Sequence, residues 1–113
     1  MMGEEDFLAA AETLLLQLED AIEAAAAAAE IDIDIEVQPG GILQLEFEDG
    51  SQIIINRHAA AREIWVAARL GGFHFRPEGK VWVGTRDGLE LWTSLSKQLS
   101  LQAGVPVVLA RRD

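Results

Sequence analysis

No lysine or arginine occurs before Arg57, and no cysteine occurs anywhere in the 113 residues. The missing cysteine excludes disulfides, thiolate catalysis and Cys-ligated zinc or iron–sulfur clusters as properties of this chain alone. Long apolar runs are missing too: none approaches the ~18 residues that suggest a spanning helix. The first residues are acidic where a signal or transit peptide would be basic. The expectation is a cytoplasmic protein with no membrane partner. No nucleophile motif, Gly-rich phosphate loop or Ser/His/Asp arrangement is visible, so a hydrolase or transferase would need residues this chain does not display. His58 and His74 have no His or Cys at ligand spacing, which argues against a tight transition-metal centre.

What replaces the missing bases is acid. Fourteen of the 19 acids precede Arg57, and residues 57–113 hold five acids against nine bases. The net charge is −10, yet half the residues are hydrophobic, which is globular and not disordered composition. Such polarity presents one strongly negative surface, whose partners should be cations or basic proteins and not nucleic acid. The length fits a single domain over residues 1–113.

Residues 5–29 read as an amphipathic helix. Phe7, Ala11, Leu14, Leu18, Ile22 and Ala25 recur at steps of three and four on one face, with Glu5, Glu12, Glu19 and Glu23 in a flanking stripe. The alanine run 24–29 favours helix but offers little to bury, so the helix is expected to fray or end within it. From Glu30 the period becomes two: Glu30, Asp32, Asp34 and Glu36 alternate with Ile31, Ile33, Ile35 and Val37, a strand with one wholly carboxylate face. After the turn Pro39-Gly40-Gly41 come a strand over 42–48, the hairpin signal Asp49-Gly50 and a strand over 52–56. Further strands are expected over 62–70, 73–76 and 81–83, with turns at Gly71-Gly72 and 77–80. A second helix follows Asp87-Gly88, burying Leu91 or Trp92, Leu95 and Leu99 and ending near Gly104. The apolar tail 105–109 should lie back against the helices. This order gives an α+β two-layer sandwich, with both helices packed on one face of an antiparallel sheet of about six strands.

Two features carry candidate chemistry. The helix stripe and the carboxylate strand are adjacent in sequence, and clustered carboxylates repel one another unless a cation relieves them. Oxygen-only ligands suit Mg²⁺, Ca²⁺, Mn²⁺ and iron, weakly on an open ridge; the alternative is a solvated face that serves solubility. Trp65 lies between Ile64 and Val66, so it should point to the open face of the sheet, as a binding anchor or a partly covered surface aromatic. Trp82 and Trp92 fit the core.

The run Glu48-Asp49-Gly50-Ser51-Gln52-Ile53-Ile54-Ile55-Asn56-Arg57, then Ile64-Trp65-Val66-Ala67 and Gly71-Gly72-Phe73-His74-Phe75, resembles the bacterial frataxin (CyaY) family. The likeness continues through Trp82, Arg86-Asp87-Gly88 and Trp92, and back to Asp6-Phe7 and Asp32-Ile33-Asp34-Ile35-Glu36. It implies the frataxin-like sandwich and an acidic ridge that binds Fe²⁺ or Fe³⁺ weakly, through Glu12, Glu19, Asp20, Glu23, Asp32, Asp34 and Glu36. It implies a non-enzymatic role in iron–sulfur cluster assembly, as a regulator of the cysteine desulfurase and scaffold protein or as an iron donor, in a protein that is monomeric without iron. Asn56, Arg57 and Trp65 are implicated as partner contacts on the open sheet face. The alanine run 24–29 departs from related bacterial proteins, which carry aspartates there. A ferroxidase or iron-storage activity, and a generic acidic interaction module, are the rival readings.

Overall fold

The computed structural model describes residues 2–111. Helix α1 (Glu4–Ala29) leads into six strands, β1 (Ile33–Gln38), β2 (Ile42–Phe47), β3 (Gln52–His58), β4 (Glu63–Ala68), β5 (Gly71–Glu78) and β6 (Val81–Gly84), before helix α2 (Leu91–Ala103). The strands pair in chain order, all antiparallel, so β1 and β6 are the sheet edges. Each strand offers alternate residues to the helices: Leu43, Leu45 and Phe47, then Ile53 and Ile55, then Ile64 and Val66, then Phe75 and Trp82. Against them pack Phe7, Leu14, Leu18 and Ile22 of α1 and Leu91, Trp92, Leu95 and Leu99 of α2, so both helices share one sheet face. The expected sandwich is therefore the observed one.

The alanine run corrects one expectation. Instead of fraying, α1 continues to Ala29, and Ala21, Ala25 and Ala26 are buried. Alanine has the highest helix propensity, and its small side chain lets backbone approach backbone closely. Glu30 then ends the helix in the left-handed region at φ 57°, and the Ile31 N–H donates to the Ala26 carbonyl at 3.0 Å. Strand β1 consequently begins at Ile33 rather than Glu30, leaving Asp32 in the connection. The turn between β4 and β5 falls on Arg69 and Leu70, with Gly71 and Gly72 already in β5.

The carboxylate of Glu90 caps α2, accepting from the N–H groups of Trp92 (2.8 Å) and Thr93 (3.2 Å). At the other end of α2 buried Gln102 joins two turns. Its Oε1 accepts from the Arg69 N–H (2.9 Å), and its Nε2 donates to Ser51 Oγ (3.0 Å) and the Gln52 carbonyl (3.3 Å). The same turns are tied outside by Arg69 donating to Asp49 Oδ2 at 2.7 Å. The tail meets its expectation in part, since Val105 and Val108 stay exposed. Val107 and Leu109 are buried, held by hydrogen bonds of Val107 to Ser100 Oγ (2.8 Å) and of Leu109 to Ser96 Oγ (3.0 Å).

Candidate functional site

The sheet's first edge gathers the acids. Along β1, Ile33 and Ile35 turn inward and are half-buried, so Asp34 and Glu36 point to the opposite, open face. There Asp34 stands directly opposite Glu46 of β2, and Glu36 opposite Gln44. Glu46 extends the acidic surface beyond the residues that the sequence singled out; it is legible only once the β1–β2 register is known. On the helix side of the same edge lie exposed Glu12 and half-buried Glu19, which line one cavity with Val37, and exposed Glu23 continues their helix stripe, whereas exposed Asp20 falls on the outer side of α1. Asp32, also exposed, sits at the corner where α1 hands over to β1. The acids therefore line both sides of one edge instead of converging. Among the described residues, no three His, Cys, Asp or Glu side chains lie close enough together to hold one metal ion. A hard cation at this edge would meet one or two carboxylates and complete its shell with water, which is weak binding.

The fold lowers the titration of Asp49. The Ser51 hydroxyl, the Ser51 N–H at 2.9 Å and the Arg69 guanidinium hold its carboxyl well below the usual carboxylate range. That is a turn-stabilising arrangement, and Asp49 lines one small cavity with Asp32 and Glu48.

The open face continues from the acids to Trp65. Adjacent strands place Ile42, Asn56, Trp65 and His74 in one row across β2, β3, β4 and β5. Trp65 is half-buried, because imidazoles cover both faces of its indole. His58 stacks on one side at a centroid distance of 3.8 Å and 11° between planes, and His74 on the other at 4.4 Å and 10°. The indole N–H donates to Glu63 Oε1 at 2.8 Å, and that oxygen also lies 3.6 Å from His74 Nδ1. His58 Nδ1 accepts from the Ala61 N–H at 3.2 Å. Of the two expectations, anchor or partly covered surface aromatic, the ring is partly covered, and it is clamped in one orientation. The histidines, weak in the sequence as metal ligands, build the platform that holds it.

Arg57 departs from its expected place. It is in phase with Ile53 and Ile55, whose side chains face the helices, and it pairs across to buried Ile64. Its side chain lies over Gly41, where an added Cβ would come 2.5 Å from Arg57 Cδ, and it lines a cavity with Glu12 and Glu19. Asn56 and Trp65 share the open face; Arg57 belongs to the helix side of the acidic edge.

Comparison with known proteins decides the family. A model of the frataxin-like domain matches residues 1–105. The chain belongs to the frataxin family. It is 54% identical over 108 residues, 96% of each chain, to the iron-sulfur cluster assembly protein CyaY of Cupriavidus metallidurans. The corresponding protein of Dechloromonas aromatica is 51% identical over 108 residues, covering 96% of this chain and 99% of the relative. Among solved structures, the frataxin of Psychromonas ingrahamii superposes with a TM-score of 0.84 at 28% identity, over 97% of this chain and 100% of that one. A trimeric yeast frataxin from Saccharomyces cerevisiae, complexed with ferrous, gives a TM-score of 0.72 at 25% identity, over 84% and 86% of the two chains. No helix among the described residues is long and apolar enough to cross a membrane.

Proposed function

We propose that this frataxin works in iron–sulfur cluster assembly as a non-enzymatic, weakly iron-binding regulator. It docks its acidic edge on a basic surface of the cysteine desulfurase and presents its open sheet face to the desulfurase–scaffold assembly. The carrying observation is the continuity of the two surfaces. Asp34, Glu36 and Glu46 share the open face with Asn56 and the clamped Trp65, so one partner can meet both. Relatives about half identical over nearly the whole chain are named for cluster assembly, which supports the setting.

Iron is cargo or signal in this reading. Carboxylates that line an edge without converging suit a hydrated, exchangeable cation better than a fixed oxidising centre, which would need a held ligand set and supporting hydrogen bonds. Iron and the basic partner draw on the same carboxylates, so loading with one alters affinity for the other. Replacing Asp32, Asp34 and Glu36 by Asn, Asn and Gln is expected to weaken both Fe²⁺ and desulfurase binding about tenfold or more. Unchanged affinity for both would overturn the reading, and saturable Fe²⁺ oxidation that is abolished by the same triple substitution would favour the ferroxidase.

A further inference from the structure

The helix side of the acidic edge holds an apolar groove that charge alone does not explain. On α1, Leu16 sits four residues after Glu12 and three before Glu19, and it is 58% exposed. On β1, Val37 shares the inward phase of Ile33 and Ile35 yet is 61% exposed, because it lies at the end of the strand where cover runs out. These two side chains, with half-buried Leu15 and buried Leu43, line a cavity of about 280 Å³ flanked by Glu12, Glu19 and Arg57. An apolar floor walled by carboxylates is unusual for a face that serves solubility only, since solubility asks for no exposed leucine or valine there.

We infer that this groove receives an aliphatic or aromatic side chain from a basic segment of a partner protein, carried between lysines or arginines that meet Glu12 and Glu19. The inference rests on the reading that the acidic edge docks on a basic protein, and it adds an apolar anchor to that contact. Charge selects this occupant. A second copy of this chain offers no lysine or arginine in its first 56 residues, so edge-to-edge association would set acids against acids. A neutral apolar segment would leave the flanking carboxylates without partners. Only a segment of mixed basic and apolar character satisfies floor and rim together. Arg57 forms no ion pair with Glu12 or Glu19 among the described residues, and its aliphatic stem packs over Gly41, so the groove keeps its shape while both glutamates stay available.

The division of labour gives a distinct signature. Rim charges govern the salt dependence and the association rate, whereas an apolar anchor in a groove slows dissociation and is insensitive to screening. The test uses two synthetic peptides of equal charge: lysines separated by serines, and the same peptide with two serines replaced by leucine. Their affinities are measured at low and physiological salt for the full-length protein, Leu16→Ser and Val37→Ser. Because both residues are largely exposed, the variants are expected to unfold at the same temperature as the parent, which the same samples report. The leucine peptide should bind the parent about five- to tenfold tighter, the partial burial of one aliphatic side chain. That gap should persist as salt weakens both peptides, and close in either variant while the serine peptide is unaffected. Binding of both peptides to the parent without a gap, or a gap that survives both substitutions, overturns the apolar anchor alone. Failure of both peptides to bind the parent at low salt overturns the basic-partner reading and the anchor with it.

Discussion

Trp65 lies flat against His58, ring centroids 3.8 Å apart and planes 11° from parallel. The contact joins β3 to β4, and His74 repeats it from β5 on the other face of the indole. Three strands thus fix one ring, and the Glu63 carboxylate fixes its N–H. A partner meeting this face finds a preorganised surface instead of a mobile side chain, which lowers the entropic cost of binding. Trp65→Ala is expected to cost about 1 kcal/mol of stability, the size of such ring contacts. Its affinity for the desulfurase–scaffold assembly should fall about tenfold or more, as for a central aromatic anchor. Thermal unfolding alongside a binding titration separates the two effects; a large stability loss with unchanged affinity would make Trp65 a core residue.

Gln102 carries more than its place on α2 suggests. Its amide serves the backbone of Arg69 and Gln52 and the Ser51 hydroxyl from within a buried position. Gln102→Leu keeps a similar volume but strands those groups, at a cost of about 1–3 kcal/mol. Urea unfolding measures it, and hydrogen exchange at Arg69 should accelerate specifically.

The left-handed residue at the end of α1 offers a gain. Glu30 sits at φ 57°, where only glycine escapes a Cβ clash. Glu30→Gly is expected to stabilise the fold by about 0.5–1 kcal/mol, after the greater freedom that glycine brings to the unfolded chain is set against the relief. A fall in melting temperature would contradict this.

Asp49 supplies a pH dependence with a defined sign. Its carboxyl titrates lower in the folded protein than in the unfolded chain, because the Ser51 hydroxyl and N–H and the Arg69 guanidinium favour the charged form. The contribution to stability is therefore complete above the ordinary carboxylate range near about pH 4 and disappears as pH falls through the lower folded-state value. Asp49→Asn should be less stable than the parent at neutral pH, and the difference should shrink steadily as unfolding is followed below about pH 4. A constant difference across that range would show that the substitution acts through turn geometry and not charge.

Most of the architecture could be read from periodicity, because each element has one apolar face. Phe7, Leu14, Leu18 and Ile22 mark α1, and Leu43, Leu45 and Phe47 mark β2. The alanine run could not be read the same way. Ala25 is buried as its spacing predicts, but the run's residues differ so little in hydrophobicity that the burial of Ala26 and the continuation of the helix to Ala29 depend on how closely the helix approaches its neighbours. The acidic edge was visible as composition, but Glu46 joins it only through the β1–β2 register. The His58–Trp65–His74 stack was hidden for the same reason, since turn lengths decide which residues of β3, β4 and β5 stand side by side. For Arg57 the alternation with Ile53 and Ile55 held the information, while the family likeness had suggested the other face.

The central claim is that one continuous surface, acidic at the edge and aromatic at its centre, serves both iron and the assembly partner. Its most direct test follows the amide resonances of ¹⁵N-labelled protein during anaerobic titration with Fe²⁺, and again with the cysteine desulfurase. The expected result is broadening by iron confined to Glu12, residues 19–36 and Glu46, with the same residues, and Trp65 and His74, responding to the desulfurase. No localised response to either titrant would contradict it and return the acidic edge to a role in solubility.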